Sequence, residues 1–588
     1  MPGSTITPDR CRSVIHWRVL PPSSRAHKHK LPPFLMETYK RPRLVMPDSV
    51  EKNKKIKTII DSLRLSNDQV KLVMSTLQAE MTLGLSKDKK KRDSSCLPME
   101  NTYVRSLMDG TEEGDFLALD LGGTNFRVLL VKIHDGKCES YQQNYNVPND
   151  KLNGSSSELF DHLAWGIASF LEKEGLKEKN LPMGFTFSFP LIQKSLSSGL
   201  LSMWTKGFKC TDGPGLDVVR LLNEAIARRG DIQVDTVAVL NDTTGTLMAG
   251  AYLDHHCQVA MILGTGHNAC YMEHLEKVEK WEGEKDEPMG VAINMESGAL
   301  GDNGCTDFIK TEFDIAVDKL SHHVGTNTFE KLFSGMYMGE VARQVLIKLT
   351  QEGLILDGRG SPELFTPWSF LTKYISMIES DGSGVFENTM DVMAELDVED
   401  FVKEEDLSVI KYVCSCVSLR AATLIAAEIA VLIQHIDQSE VTIAVDGSLY
   451  KYHPKLHDLV LDKVHTLVPN VKCKLILAED GSGKGAAFVA AVATRLSRAA
   501  KEARRDSDGD VKDENKHSEK LPSSPTAETV NSEKQDGESN KVDSPGKSPK
   551  SDNETENSLD LEATFQPLKS QPSLDMALAL QGIPLKVS

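Results

Sequence analysis

Residues 116–130 read FLALDLGGTNFRVLL: an apolar run, a lone acid at Asp120, Gly122-Gly123, Thr124-Asn125, and a second apolar run. Two apolar runs joined by a short glycine turn predict a strand–turn–strand hairpin. In a plain hairpin the glycines supply positive φ and the Asp favours the turn. In a nucleotide site the same glycines let backbone N–H groups approach a phosphate, because no Cβ stands in the way. A second unit of this design, VAMILGTGHNACYM at 259–272, again sets Gly and Thr at the tip, then Asn, then a returning apolar strand. One such turn is weak evidence. Two, each followed by helical stretches, point to a pair of related α/β halves gripping one phosphate chain between their hairpins.

Working outward, VDTVAVL (234–240), QVAMIL (258–263), VTIAVDG (441–447) and CKLILAEDG (473–481) are β-rich runs that alternate with helical segments, so the class is α/β. Ahead of them Ser66 and Gln69 form a capping box, and Val70, Val73, Met74, Leu77 and Met81 recur at helical spacing until Gly84. GSGKGA at 481–486 fits a dinucleotide fingerprint, but the folded part ends too soon after it to supply the ribose-binding acid. It also fails as a P-loop, since Gly485 stands where Ser or Thr should follow Lys484. What remains is a glycine turn whose helix N-terminus favours an anion.

The chain has 588 residues, enough for three to four units at roughly 150 each. A net charge of −18 argues against nucleic-acid binding, which needs a clustered basic face. Ten cysteines are scattered singly apart from Cys414 and Cys416; no pair sits at zinc spacing, so buried thiols in a reducing compartment are expected. No uninterrupted run of 18 apolar residues occurs, so neither a membrane span nor a secretory signal is expected. Residues 1–50 are basic, with Arg10, Arg12, Arg18, Arg25, Lys28 and Lys30 against Asp9, and read as a disordered extension. Pro21-Pro22 and Pro32-Pro33 break the amphipathic pattern of a transit peptide, and KRPR at 40–43 is either a nuclear address or a solvated patch. After Ala500 a single aromatic, Phe565, stands in a Ser-, Asp-, Glu- and Lys-rich tail that reads as disordered, with Ser-Pro steps at Ser524, Ser544 and Ser548.

Polar clusters that a core does not explain lie mid-chain. GFTFSFP (184–190) puts Ser188 among apolar residues, and SMWTKGF (202–208) sets Thr205 and Lys206 beside Trp204. VLNDTTGTLMAG (239–250) ends a strand with Asn241-Asp242, and INMESGALGDNG (293–304) sets Glu296 in apolar surroundings. Singly, each has a plain structural explanation, such as Asp242 capping the next helix. Together, short donors and acceptors at strand ends suit a ligand with many hydroxyls, such as a sugar.

At this point the sequence resembles the eukaryotic hexokinases, in the form with a single catalytic unit. ALDLGGTNFRVLLVKI, GFTFSFP, WTKGFKCTD, VAVLNDTTGTLMAGAY, GTGHNACYME, INMESGALGDNG, SGMYMGE, VDGSLYK and EDGSGKGAA occur in that family's order, over about three quarters of the chain from residue 66 to 497. The resemblance implies two ribonuclease-H-like domains of the actin type flanking a cleft. It divides the chain into an extension (1–50), N-terminal helices packing on the large domain (51–105), a small domain (106–240), a large domain (241–477), a helix returning to the small domain (478–498) and the tail (499–588). It implies ATP-dependent phosphorylation of glucose, and also of mannose and fructose, at the 6-hydroxyl, as the first step of glycolysis.

By the same resemblance Asp242 is the base and Lys206, with Thr205, holds sugar and transferring phosphoryl group. Ser188, Asn241, Asn268, Glu296 and Glu330 bond the sugar hydroxyls. Asp120, Gly122, Gly123, Thr124, Asn125, Arg127, Thr265 and Gly266 serve the phosphates. Asp446, Gly447, Ser448 and Gly481 lie along the adenosine, with Ser482 near a phosphate. Mg2+ has no direct protein ligand, and Asp120 reaches it through water. A cytosolic monomer is expected, with mitochondrial association as the alternative and glucose 6-phosphate as a candidate feedback inhibitor. The other reading of the same fold is a sugar sensor or scaffold with weak catalysis. Four positions depart from the family pattern: Ser297 where Trp is common, His267 in place of a smaller residue, Ser448 for Thr, and Asn327 for Gln.

Overall fold

The computed structural model describes residues 49–123, 125–283 and 285–517, with side chains to Glu502. The basic stretch with KRPR, the Ser-Pro steps and Thr124 therefore lie outside the described residues.

The strands are β1 Glu100–Asn101, β2 Gly114–Leu121, β3 Asn125–His134, β4 Lys137–Asn146, β5 Leu181–Phe187, β6 Leu191–Ser195, β7 Ser198–Leu201, β8 Val234–Leu240, β9 Cys257–Leu263, β10 His267–His274, β11 Gly290–Asn294, β12 Glu440–Asp446 and β13 Lys472–Leu477. One sheet runs β4-β3-β2-β5-β8, its first three strands antiparallel and its last two parallel to β2. The other runs β11-β10-β9-β12-β13 with the same mixture of directions, and β1 adds at its edge. Numbered within each half, both have the order 3-2-1-4-5. The two quoted hairpins are the first two strands of each half, which is why they look alike. This is the repeated ribonuclease-H-like topology of the actin type.

Alternation along the strands sends side chains to opposite faces. Leu117, Leu119 and Leu121 of β2, with Phe126, Val128 and Leu130 of β3, pack under the helices Ser156–Lys173 and Val218–Arg229. The other face, Phe116, Ala118, Leu129 and Val131, meets the helices Asp242–Leu253 and Gly481–His517. Ala260, Cys270, Ala292 and Ala444 of the second sheet close on the same layer. Two helices thus lie between the sheets, and small residues on the inner faces make room for them.

These two helices hold equivalent places in the repeat, one leaving β8 and the other β13. They cross at a glycine in each: a Cβ on Gly485 would stand 2.0 Å from the Gly245 carbonyl oxygen. Gly184 of β5 meets the same helix, since its Cβ would lie 2.0 Å from the Ala486 carbonyl oxygen.

Two features were not evident from the sequence. The last helix does not end near residue 498 but runs to His517. LSRAAKEARRDSDGDVKDENKH holds no proline and one glycine, and its Ala, Arg, Lys and Glu are good helix formers. The helix Val50–Asp61 likewise begins within the span assigned to the extension, capped by Ser49. Second, among the described residues one helix, Glu404–Ile436, is long and apolar enough to cross a membrane, although Arg420 and Glu428 interrupt its apolar run. Of its most apolar stretch 94% is buried inside the fold, against Asn67–Gly84, Met338–Gln351 and the outer face of the second sheet. Cys414 and Cys416 are buried in it, as expected of core thiols.

Candidate active site

Asp242 is the first residue of its helix, and Asn241 is the cap: its side-chain oxygen accepts from Thr243 N at 2.8 Å. Capping is therefore the work of Asn241, and the Asp242 carboxylate is left for something else. It is half-buried, with Oδ1 accepting from Thr243 Oγ1 at 3.2 Å. Burial pushes its carboxyl up from the ordinary range, while the nearby Lys206 ammonium pulls it down and Asp120 adds to the rise.

Glu296 follows β11 with a left-handed backbone, φ 53°. Its Oε1 accepts from Asn294 Nδ2 at 2.7 Å and Asn268 Nδ2 at 3.3 Å, and Asn268 also donates to Asn294 at 2.8 Å. Burial raises the Glu296 carboxyl to about 7 against the Asn294 hydrogen bond, with Asp242 and Glu330 adding to the rise. Glu330 is held by the second hairpin, His267 N donating to its Oε2 at 2.8 Å. Gly266 leaves the room: a Cβ there would stand 2.6 Å from Glu330 Oε2. Burial raises this carboxyl too.

At the first hairpin, the Arg127 guanidinium bridges Asp120 and Asp480. Ser482 Oγ donates to Asp120 Oδ2 at 3.3 Å, and Thr186 Oγ1 donates to Ser482 O at 2.9 Å. Among the described residues, Gly123 has nothing within 4 Å of where a Cβ would be, and Gly122 only Ser188 Oγ at 4.0 Å. Ser188, nearly buried, is fixed beside this turn by its N–H on Leu121 O. At the other end, Asp446 accepts from Gly447 N (2.7 Å) and Gly481 N (3.0 Å), tying the β12 turn to the last helix. Gly447 has φ 116° and packs on Leu263, so the β12 turn touches the tip of the second hairpin. That tip is latched again by Met336 N and Ser334 Oγ, both donating to Thr265 O at 3.0 Å. The Thr265, Asn125 and Ser448 residues are exposed.

Lys206 is exposed, on a turn with φ 54°, its Nζ 5.8 Å from the centre of the Phe189 ring. It lies within electrostatic reach of Asp242 without bonding it. Thr205 shares its turn, Phe208 N donating to Thr205 O. Six carboxylates, Asp120, Asp242, Glu296, Glu330, Asp446 and Asp480, stand around this region against Arg127 and Lys206.

Three partners escaped the sequence reading. Asp480 sits in the quoted EDGSGKG but looked like a turn residue; its left-handed φ of 61° and the Arg127 pair give it a second task. Asn294 lay in the quoted INMESGALGDNG and showed no signal. Asp302 accepts from Asn327 N at 3.0 Å and Thr328 N at 2.8 Å, fixing the turn before Glu330.

With this geometry in view, two hexokinase sequence profiles match residues 55–252 and 258–492. The chain belongs to the hexokinase family. It is 46% identical to human hexokinase-2 over 449 residues, covering 75% of this chain and 48% of the relative. With mouse hexokinase-1 identity is 44% over 455 residues, 76% of this chain and 46% of the relative. The chain thus spans about half the length of these curated relatives. A solved hexokinase from Schistosoma mansoni, complexed with glucose, is 40% identical with TM-score 0.68, covering 75% of this chain and 99% of that one. A second solved hexokinase is 30% identical with TM-score 0.67, covering 76% and 100%.

Proposed function

We propose that this chain transfers the terminal phosphoryl group of MgATP to the 6-hydroxyl of a hexose, glucose above all, giving hexose 6-phosphate and ADP. The observation that carries the reading is the position of Asp242. It opens a helix between a carboxylate and amide cluster suited to sugar hydroxyls (Asn268, Glu296, Glu330) and glycine turns suited to phosphates.

In this reading Asp242 accepts the proton of the sugar hydroxyl as that oxygen bonds to phosphorus and the bond from phosphorus to the ADP oxygen breaks. A positioned base of this kind contributes about 10²–10⁴-fold. Lys206 offsets charge on the transferring group, and the N-terminus of the Asp242–Leu253 helix adds a favourable dipole. Phosphoryl transfer asks mainly for alignment, which the two latched hairpins supply. The acidic surroundings fit a magnesium-bound nucleotide. Oδ2 of Asp120 accepts from Arg127 and Ser482, and the Asp120 carboxylate would hold Mg2+ through water. When bound, the metal neutralises phosphate charge.

A coupled assay of the 588-residue chain with a panel of hexoses and MgATP tests this. Formation of glucose 6-phosphate is expected. Glucose binding without any turnover would overturn the reading in favour of a sugar sensor.

A further inference from the structure

Linear spacing shows no metal motif, yet folding brings three chain-distant ligand types together. Glu80, on the helix Asn67–Gly84, has its Oε2 3.5 Å from Cys96 Sγ, and Cys96 Sγ lies 3.9 Å from Cys305 Sγ. One ligand atom from each of the three falls within a 4.8 Å group. With Zn–S of about 2.3 Å and Zn–O of about 2.0–2.2 Å, a tetrahedral zinc sets S···S at about 3.8 Å and S···O at about 3.5 Å. The 3.5 Å and 3.9 Å separations match these edges. A disulfide would instead require the sulfurs to close to about 2.05 Å.

The surroundings suit a cation. Glu80 is buried, and among the described residues no Lys, Arg or His forms an ion pair with it. Its carboxylate is held by hydrogen bonds, Oε2 accepting from Cys96 N at 2.9 Å, and a bound cation would supply the countercharge. The outer partners are already in place: Asn303 Nδ2 donates to Glu80 Oε1 at 3.2 Å, and Gly301 N donates to Cys96 Sγ at 3.3 Å. Cys96 and Cys305 are half-buried, so the site is reachable from solvent.

The geometry points to a zinc site formed by Glu80, Cys96 and Cys305, with water as the fourth ligand. Thiolate donors select zinc over the magnesium of the kinase reaction. Binding converts two thiols and Zn2+ into a dithiolate complex with release of both protons, and needs no oxidant. Bound zinc joins the N-terminal helix to the loop Gly301–Cys305, which carries Asp302 and through it the turn before Glu330.

The test uses the reduced full-length chain with Zn2+, and with Co2+ as a spectroscopic probe. About one zinc per chain is expected after equilibrium dialysis, with release of about two protons and a thiolate-to-cobalt charge-transfer band. Cys96→Ser and Cys305→Ser should each weaken zinc binding by at least about 10–100-fold and remove the band, whereas Cys138→Ser should change neither. Circular dichroism of zinc-free Cys96→Ser confirms folding, and Glu80→Gln gives an independent variant that keeps both thiols. Zinc binding unchanged in both Cys variants, or no zinc bound by the reduced chain, would overturn the proposal. So would a Cys96–Cys305 disulfide forming in air at a rate that zinc does not slow.

Discussion

His267 Nε2 lies 2.8 Å from Glu428 Oε2, and neither side chain has any exposed surface. The same nitrogen is 3.1 Å from Ser297 Oγ. His267 and Ser297, both expected from the sequence to depart from the family pattern, are therefore one feature: the imidazole stands against the small residue at 297, and Glu428 of the core helix anchors it. Because His267 N holds Glu330, this anchor fixes a carboxylate of the candidate sugar site.

Removing the imidazole leaves a buried carboxylate unpaired, so His267→Ala should cost about 3–5 kcal/mol in urea unfolding. Burial alone would lower the imidazole, but Glu428 outweighs it and the net shift is upward from 6.5. The pair's contribution is thus complete below pH 6.5 and lost as pH rises through the folded value. Glu428→Gln should flatten that part of the pH–stability curve; an unchanged curve would show that the pair carries no charge.

Ser297→Trp alone should overpack the site, costing about 1–3 kcal/mol or more. Combined with His267→Ser it should recover part of that loss. A double-mutant cycle by thermal unfolding measures the coupling, and simple additivity would contradict the shared-space account.

Much of the architecture was legible because it is written in short-range pattern. Asp120-Leu-Gly-Gly and Leu263-Gly-Thr-Gly mark strand ends and turns directly, and the Ser66–Gln69 capping box forms as spaced. Relationships between distant segments were not legible. Nothing in the sequence aligns Glu80 with Cys305, or shows that Arg127 pairs with Asp480, since both depend on how distant elements pack. The helix beyond residue 498 was misjudged because its charge pattern resembles a disordered tail, whereas helix propensity is a separate property.

Glu296, raised to about 7, should bind a proton more in the folded than in the unfolded protein between pH 4.5 and 7. Stability of the sugar-free protein should therefore fall as pH rises through that window, and Glu296→Gln should remove part of the slope. Sugar hydroxyls donating to the carboxylate favour its ionised form. Hexose binding near pH 6.5 should then release protons, visible as a buffer-dependent heat in calorimetry. Proton uptake would contradict this.

The helix crossing gives a structural prediction. Gly485→Ala places a methyl 2.0 Å from the Gly245 carbonyl and must part the two helices, at a cost of about 1–3 kcal/mol or more. Since Gly481 and Ser482 ride on the same helix as Gly485, nucleotide affinity should fall with thermal stability.

The central claim concerns Asp242, and steady-state kinetics of Asp242→Asn beside glucose titration of the same variant tests it most directly. The account predicts a kcat lower by about 10²–10⁴-fold, with glucose affinity changed only a few-fold. Turnover close to that of the unmodified chain would show that the proton goes elsewhere.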